Sequence, residues 1–166
     1  MDVIYLDFAK AFDKVPHIRL MSKVRALGIT GKIHRWIENW LNNRKQRVVL
    51  NGIASEWTDV KSGVPQGSVL GPLLFLIFIN DIDQDVENKI LKFADDTKLF
   101  GEVAENEDVE RMRDDLRRLF EWSEDWQMLF NIVKCKVLHI GRNNKEQSTI
   151  WAESNWRKYM MRKIWE

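Results

Sequence analysis

Two aspartates stand side by side in "KILKFADDTKLF" (89–100), Asp95 and Asp96, inside a stretch that otherwise reads as a buried hairpin. Adjacent strand residues point to opposite faces, so both can serve one point only if a tight turn twists them together. Two carboxylates held close without a cation would drive one toward its protonated form. A metal ion removes that penalty, and another acid is at hand in Asp7, which ends the apolar run "VIYL". Oxygen donors, with no His or Cys spaced to join them, favour Mg2+ or Mn2+. Two such ions about 4 Å apart clamp the attacking and leaving oxygens of a phosphoryl transfer. Each piece alone is weak, since an Asp pair at a turn is usually solvated and an Asp after a strand often caps a helix. The order carries the weight: an Asp-ending strand, a "PQG" loop opening an apolar helix, then "FADD" in a hairpin.

Placing those acids requires a sheet and something to support it. "VIYLDF" (3–8) reads as a buried strand. Ile18, Met21, Val24 and Leu27 recur at helical spacing and Gly28 stops them. Ile33, Trp36, Ile37, Trp40 and Leu41 repeat the pattern. "RVVLNG" and "EWTDVKSG" read as two strands around the Asn51–Gly52 turn. The loop "GVPQGS" (63–68) precedes an apolar helix ending near Asp81. Residues 106–126 carry the stripe Val109, Met112, Leu116, Leu119 and Phe120, with Asn106 as N-cap. "KCKVLHIG" (134–141) alternates like a strand. The mixture predicts an α+β domain, a small antiparallel sheet with helices packed on one face.

Bulk composition narrows the class. The chain has 166 residues and a formal net charge of +1, so it is no strong polyanion binder as a whole. The residues from Arg142 onward are basic and tryptophan-bearing, which leaves the rest slightly acidic. A single cysteine, Cys135, excludes an internal disulfide framework. The apolar run 69–79 is too short to span a bilayer, so no membrane partner is expected.

"YLDFAKAFDKVPH", "SGVPQGSVLGPLLFLIFINDI" and "KFADDTKLF" resemble the palm motifs A, B and C of reverse transcriptases, in the spelling of LINE-type (non-LTR) retrotransposons. The resemblance runs from about residue 2 to 144. It implies a polymerase palm-like fold with Asp7, Asp95 and Asp96 as catalytic metal ligands for two Mg2+ or Mn2+ ions. Asp96 would coordinate less directly. Phe12 falls on the aromatic that closes against the sugar 2′ position, and Gln66 and Gly67 on the loop touching nucleotide and template. Lys134 is the first match for the motif D lysine, with Lys136 as the alternative. The implied partners are an RNA template, a DNA primer and deoxynucleoside triphosphates, and the implied location is intracellular, nuclear or cytoplasmic.

Motif A begins almost at Met1, and about 25 residues follow motif D. The expectation is a partial palm over residues 1–145, without fingers or thumb, and a divergent basic tail over 146–166 that does not pack on it. Such a fragment would be inactive alone. The competing reading is a non-catalytic retroelement relic or a co-opted module binding nucleic acid or protein. A bacterial-type or intron-encoded enzyme fits the motif spelling less well.

Overall fold

The computed structural model describes residues 1–141; the expectations for the tail lie outside them. In chain order the elements are β1 (Asp2–Asp7), α1 (Ala11–Lys14), α2 (His17–Ala26), α3 (Gly31–Leu41), β2 (Lys45–Gln46), β3 (Val49–Leu50), β4 (Ile53–Ala54), β5 (Thr58–Asp59), α4 (Leu70–Ile79), β6 (Lys89–Phe93), β7 (Asp96–Gly101), α5 (Asn106–Asp125) and β8 (Lys136–His139). They fall into two compact units. Among the described residues, one holds Met1–Ala9, Ile82–Asp125 and 129–141, and the other holds Lys10–Asp81 with Trp126–Met128.

The first unit is built on an antiparallel sheet of order β6-β7-β1-β8. Because side chains alternate, the register sorts them by face. Ile4 and Leu6 share one face with Thr97 and Leu99, and all four are buried. α5 lies on that face: its Met112 side chain ends where a Cβ at Gly101, next along the same face, would stand. The predicted stripe Val109, Met112, Leu116, Leu119 and Phe120 is buried throughout. Asn106 is the first helical residue rather than the cap. The start is secured by Asp108, whose carboxylate accepts from the Glu105 N–H at 3.1 Å, half of a capping box. Farther along, Asp115 is completely buried and accepts from the Glu87 N–H (3.0 Å), the Asn88 N–H (2.8 Å), the Asn88 Nδ2 (2.8 Å) and Arg118 (3.0 Å). It thereby ties α5 to the residues that lead into β6.

In the second unit, α2 touches both α3 and α4. Its buried residues are Leu20, Met21, Lys23 and Val24, while Ile18 and Leu27 are exposed. Likewise α3 buries His34, Ile37 and Leu41 and exposes Ile33 and Trp36. Both helices are rotated from the apolar face read in the sequence, because polar side chains find partners inside. The Lys23 ammonium donates to the Phe78 carbonyl at 2.6 Å and to Asp81 at 2.5 Å, and sits 3.6 Å from the centre of the Trp126 ring. Burial lowers its pKa, and Asp81 opposes that shift. His34 Nε2 lies 3.3 Å from the Met21 carbonyl. The Asn51–Gly52 turn joins β3 to β4 with positive φ at both residues (50° and 81°), as a type I′ hairpin demands. The strand predicted over 56–63 is not the partner across that turn: β4 takes that place, and the predicted strand shrinks to β5, which pairs with β2.

Asp115→Ala should destabilise the protein by about 2–3 kcal/mol, the cost of stranding donors that now bond a charged acceptor. Urea denaturation monitored by circular dichroism measures it, and an unchanged midpoint would contradict the assignment.

Candidate active site

β6 and β7 meet in a two-residue turn, Ala94–Asp95, closed by pairing of Phe93 with Asp96. Ala94 adopts φ 52°, a left-handed conformation that costs a residue with a Cβ about 1–2 kcal/mol. The tight turn separates the paired aspartates: Asp95 occupies the tip, half-buried, while Asp96 opens β7 and is exposed. The register sets Asp96 directly opposite Asp7 on β1. Opposed residues of an antiparallel pair share a face, so two carboxylates occupy one rung, an arrangement that is unfavourable without a counter-charge. Asp7 Oδ1 is buried and accepts no hydrogen bond.

The next segment after α5 closes on Asp7 from the other side. Asn131 donates its N–H to the Asp7 carbonyl at 2.7 Å, and Phe8 bridges to Phe130, whose ring stacks on its own at 4.6 Å. From this clamp the chain turns through residues 132–134, and Lys134 Nζ comes to 3.4 Å from Asp7 Oδ1. Lys136, the alternative lysine, lies on β8 in register with Tyr5. Burial raises the Cys135 pKa, with the Asp7 charge adding to that and a backbone hydrogen bond at Asp7 opposing it. The thiol therefore stays protonated at neutral pH and is a poor metal ligand. The pairing of Lys134 with Asp7 has no sequence signal, because it depends on the Asn131 clamp.

The donor set suits a hard divalent cation. Asp7 Oδ1, buried and without a hydrogen bond, belongs to a residue that shares its rung with Asp96, and the Lys134 ammonium stands 3.4 Å from it. Among the described residues no three His, Cys, Asp or Glu side chains gather into a complete metal shell.

Phe12, Gln66 and Gly67 belong to the second unit. Phe12 is half-buried and stacks on Phe75 of α4, ring centres 4.5 Å apart. The loop carrying Gln66 is pinned through Gly63. Gly63 donates to the Val15 carbonyl (2.8 Å), its own carbonyl accepts from Arg44 (2.5 Å) and lies 2.9 Å from His17 Nε2, and Val64 donates to the Phe12 carbonyl (2.7 Å). No motif or spacing in the sequence singles out Arg44 or His17 as the residues that hold this loop. Asp13 lies within α1 and accepts from the Gln66 side-chain amide at 3.3 Å. Gly67 is exposed with φ 78°, so the loop turns there in a conformation suited to glycine.

Residues 3–160 match the family described as "Reverse transcriptase (RNA-dependent DNA polymerase)". The chain belongs to that family. As a reverse transcriptase-family chain it is 31% identical over 137 residues to a probable RNA-directed DNA polymerase from transposon X-element of Drosophila melanogaster. It is 30% identical over 142 residues to the RNA-directed DNA polymerase from mobile element jockey of Drosophila funebris. Each alignment takes in 79% of this chain and 15% of the relative, so the chain spans about 15% of the length of these relatives. They bear out the resemblance to LINE-type retrotransposon polymerases. The backbone is similar to the apo telomerase of Candida tropicalis truncated from its C-terminal domain, with TM-score 0.59 at 14% identity over 86% of this chain and 32% of that one. That likeness supports the palm-like α+β fold.

Gly63→Ala tests how the reverse transcriptase-family loop is held. A Cβ there would stand 2.7 Å from backbone atoms of Phe12 and Asp13, at a φ of 84° that disfavours any side chain. The left-handed conformation alone costs about 1–2 kcal/mol. Hydrogen exchange should show the Gly63 and Val64 amides losing protection, and unchanged protection would contradict the pinning.

Proposed function

We propose that this chain is the palm portion of an RNA-directed DNA polymerase in which Asp7, Asp95 and Asp96 hold two Mg2+ or Mn2+ ions. The observation that carries this reading is the buried, hydrogen-bond-free Oδ1 of Asp7 on the same rung as Asp96, beside a strained turn that presents Asp95. Left-handed non-glycine backbone persists where surrounding structure over-determines it, and it clusters at functional sites. When bound, the ions supply charge stabilisation at the attacking primer oxygen and the leaving pyrophosphate. The protein's part is positioning. Asp7 is fixed by the β1 ladders and the Asn131 clamp, and Asp95 and Asp96 by the β6–β7 turn. Phe12, backed by Phe75, bars a 2′-hydroxyl on the incoming nucleotide, while Gln66 and Gly67 meet the nucleotide and template strand. The substrates are an RNA template, a DNA primer and deoxynucleoside triphosphates.

The 166 residues alone are expected not to extend a primer. Holding reactants in place is worth roughly 7–11 kcal/mol of barrier, and this segment corresponds to about 15% of its relatives' length. The function is therefore tested in a longer polymerase of the family carrying this segment. Asp7→Asn or Asp95→Asn should each reduce primer extension on an RNA template at least about a hundredfold, the equivalent of about 3 kcal/mol. Extension within threefold of the parent would contradict the metal assignment and favour a binding module. In the same protein Phe12→Ala should raise ribonucleotide incorporation; unchanged discrimination would return Phe12 to a packing role.

A further inference from the structure

We propose that Lys134 competes with a divalent cation for Asp7, so that arrival of the ion and release of the Lys134 ammonium are one linked event. This rests on the reading of Asp7 as a metal ligand and adds a coupling to it. Lys134 Nζ lies 3.4 Å from Oδ1, beyond the 2.7–2.9 Å of a charge-assisted hydrogen bond, and that oxygen accepts no hydrogen bond at all. The ammonium therefore serves it by charge alone, as an ion would. Two cations cannot share one carboxylate oxygen at contact without strong mutual repulsion.

The backbone puts Lys134 there. Asn131 is anchored to the Asp7 carbonyl, and its own carbonyl accepts the Lys134 and Cys135 N–H groups at 3.0 and 3.1 Å. Lys136 then pairs with Tyr5 on β1. The turn is thus fastened to β1 on both sides of Lys134, so the side chain starts from a fixed point beside Asp7. Its stem is free to swing, because the Lys134 side chain is 63% exposed. An exposed ion pair is weak and easily replaced, and a divalent ion brings twice the charge. Lys134 is therefore a competitor rather than a lock.

Coupling of this kind is reciprocal. Whatever factor Lys134 subtracts from metal affinity, the metal subtracts from the hold of Asp7 on Lys134. A mobile ammonium then appears beside the site only once the ion is bound, when a phosphate-bearing ligand would need it.

The test titrates the full chain with Mn2+ and counts free ion by electron paramagnetic resonance. Lys134→Met should bind roughly two- to fivefold more tightly than the parent, the range set by an exposed ion pair. Lys136→Met, which removes an equal charge two residues on, should change affinity by less, and Asp7→Asn should abolish the site. In parallel, the Lys134 Cε resonance should shift on adding Mg2+ to the parent but not to Asp7→Asn. Equal or weaker binding by Lys134→Met, with dependence on Asp7 intact, overturns the competition and leaves the metal reading standing. An equal gain from Lys136→Met reduces the effect to general charge and overturns it too. Mn2+ binding indifferent to Asp7 overturns both readings.

Discussion

Asp7 and Asp96 face one another across a single rung of an antiparallel ladder, and the first unit is arranged around that repulsion. Like charges directly opposed destabilise a strand pair, so the pairing persists only because other contacts impose it. Val3, Ile4 and Leu6 are buried along β1, and Leu99 is buried along β7. The Met112 side chain of α5 ends in the space where a Cβ at Gly101 would stand. Asp115 binds the approach to β6, and the Ala94–Asp95 turn closes the hairpin at a register that cannot slip without inverting every side chain. Lys134 then supplies one unit of positive charge at Asp7. Each contact is ordinary; together they hold two carboxylates where a cation is wanted.

The parts that carry this arrangement were the legible ones. β1, β7 and α5 stand out because their apolar residues fall on faces that are in fact buried; β6 also reads as buried, but its Leu91 and Phe93 are exposed. The motif order around Asp7, Gln66 and Asp95 was readable for the same reason, since short motifs need no tertiary information. Faces failed where polar groups were buried. Lys23 and His34 turn inward because a carbonyl, a carboxylate and an indole ring wait for them, while Ile18 and Trp36 turn outward. Hydrophobic periodicity cannot register such partners. α1, only four residues long, leaves too little pattern to detect. The Asp7–Asp96 rung and the approach of Lys134 depend on strand register and on the Asn131 clamp, which join residues more than eighty apart in the chain.

The second unit shows the same economy in a loop. Gly63 is bonded through both its N–H and its carbonyl, and no other residue fits its backbone. Gln66, three residues on, is drawn to Asp13 by a side-chain hydrogen bond. The backbone is similar to that of a telomerase at 14% identity. What persists at that distance is the fold, while the mobile-element polymerases share about 30% of the aligned residues with this chain.

The central claim is that the Asp7–Asp96 rung and the Asp95 turn form a cation site. Anomalous diffraction from crystals grown with Mn2+, collected at the manganese edge, addresses it most directly. The account predicts a peak within about 2.0–2.4 Å of an Asp7 carboxylate oxygen and on the side of the sheet shared with Asp96. A well-ordered Asp7 with no peak beside it, or manganese bound only elsewhere, would contradict it.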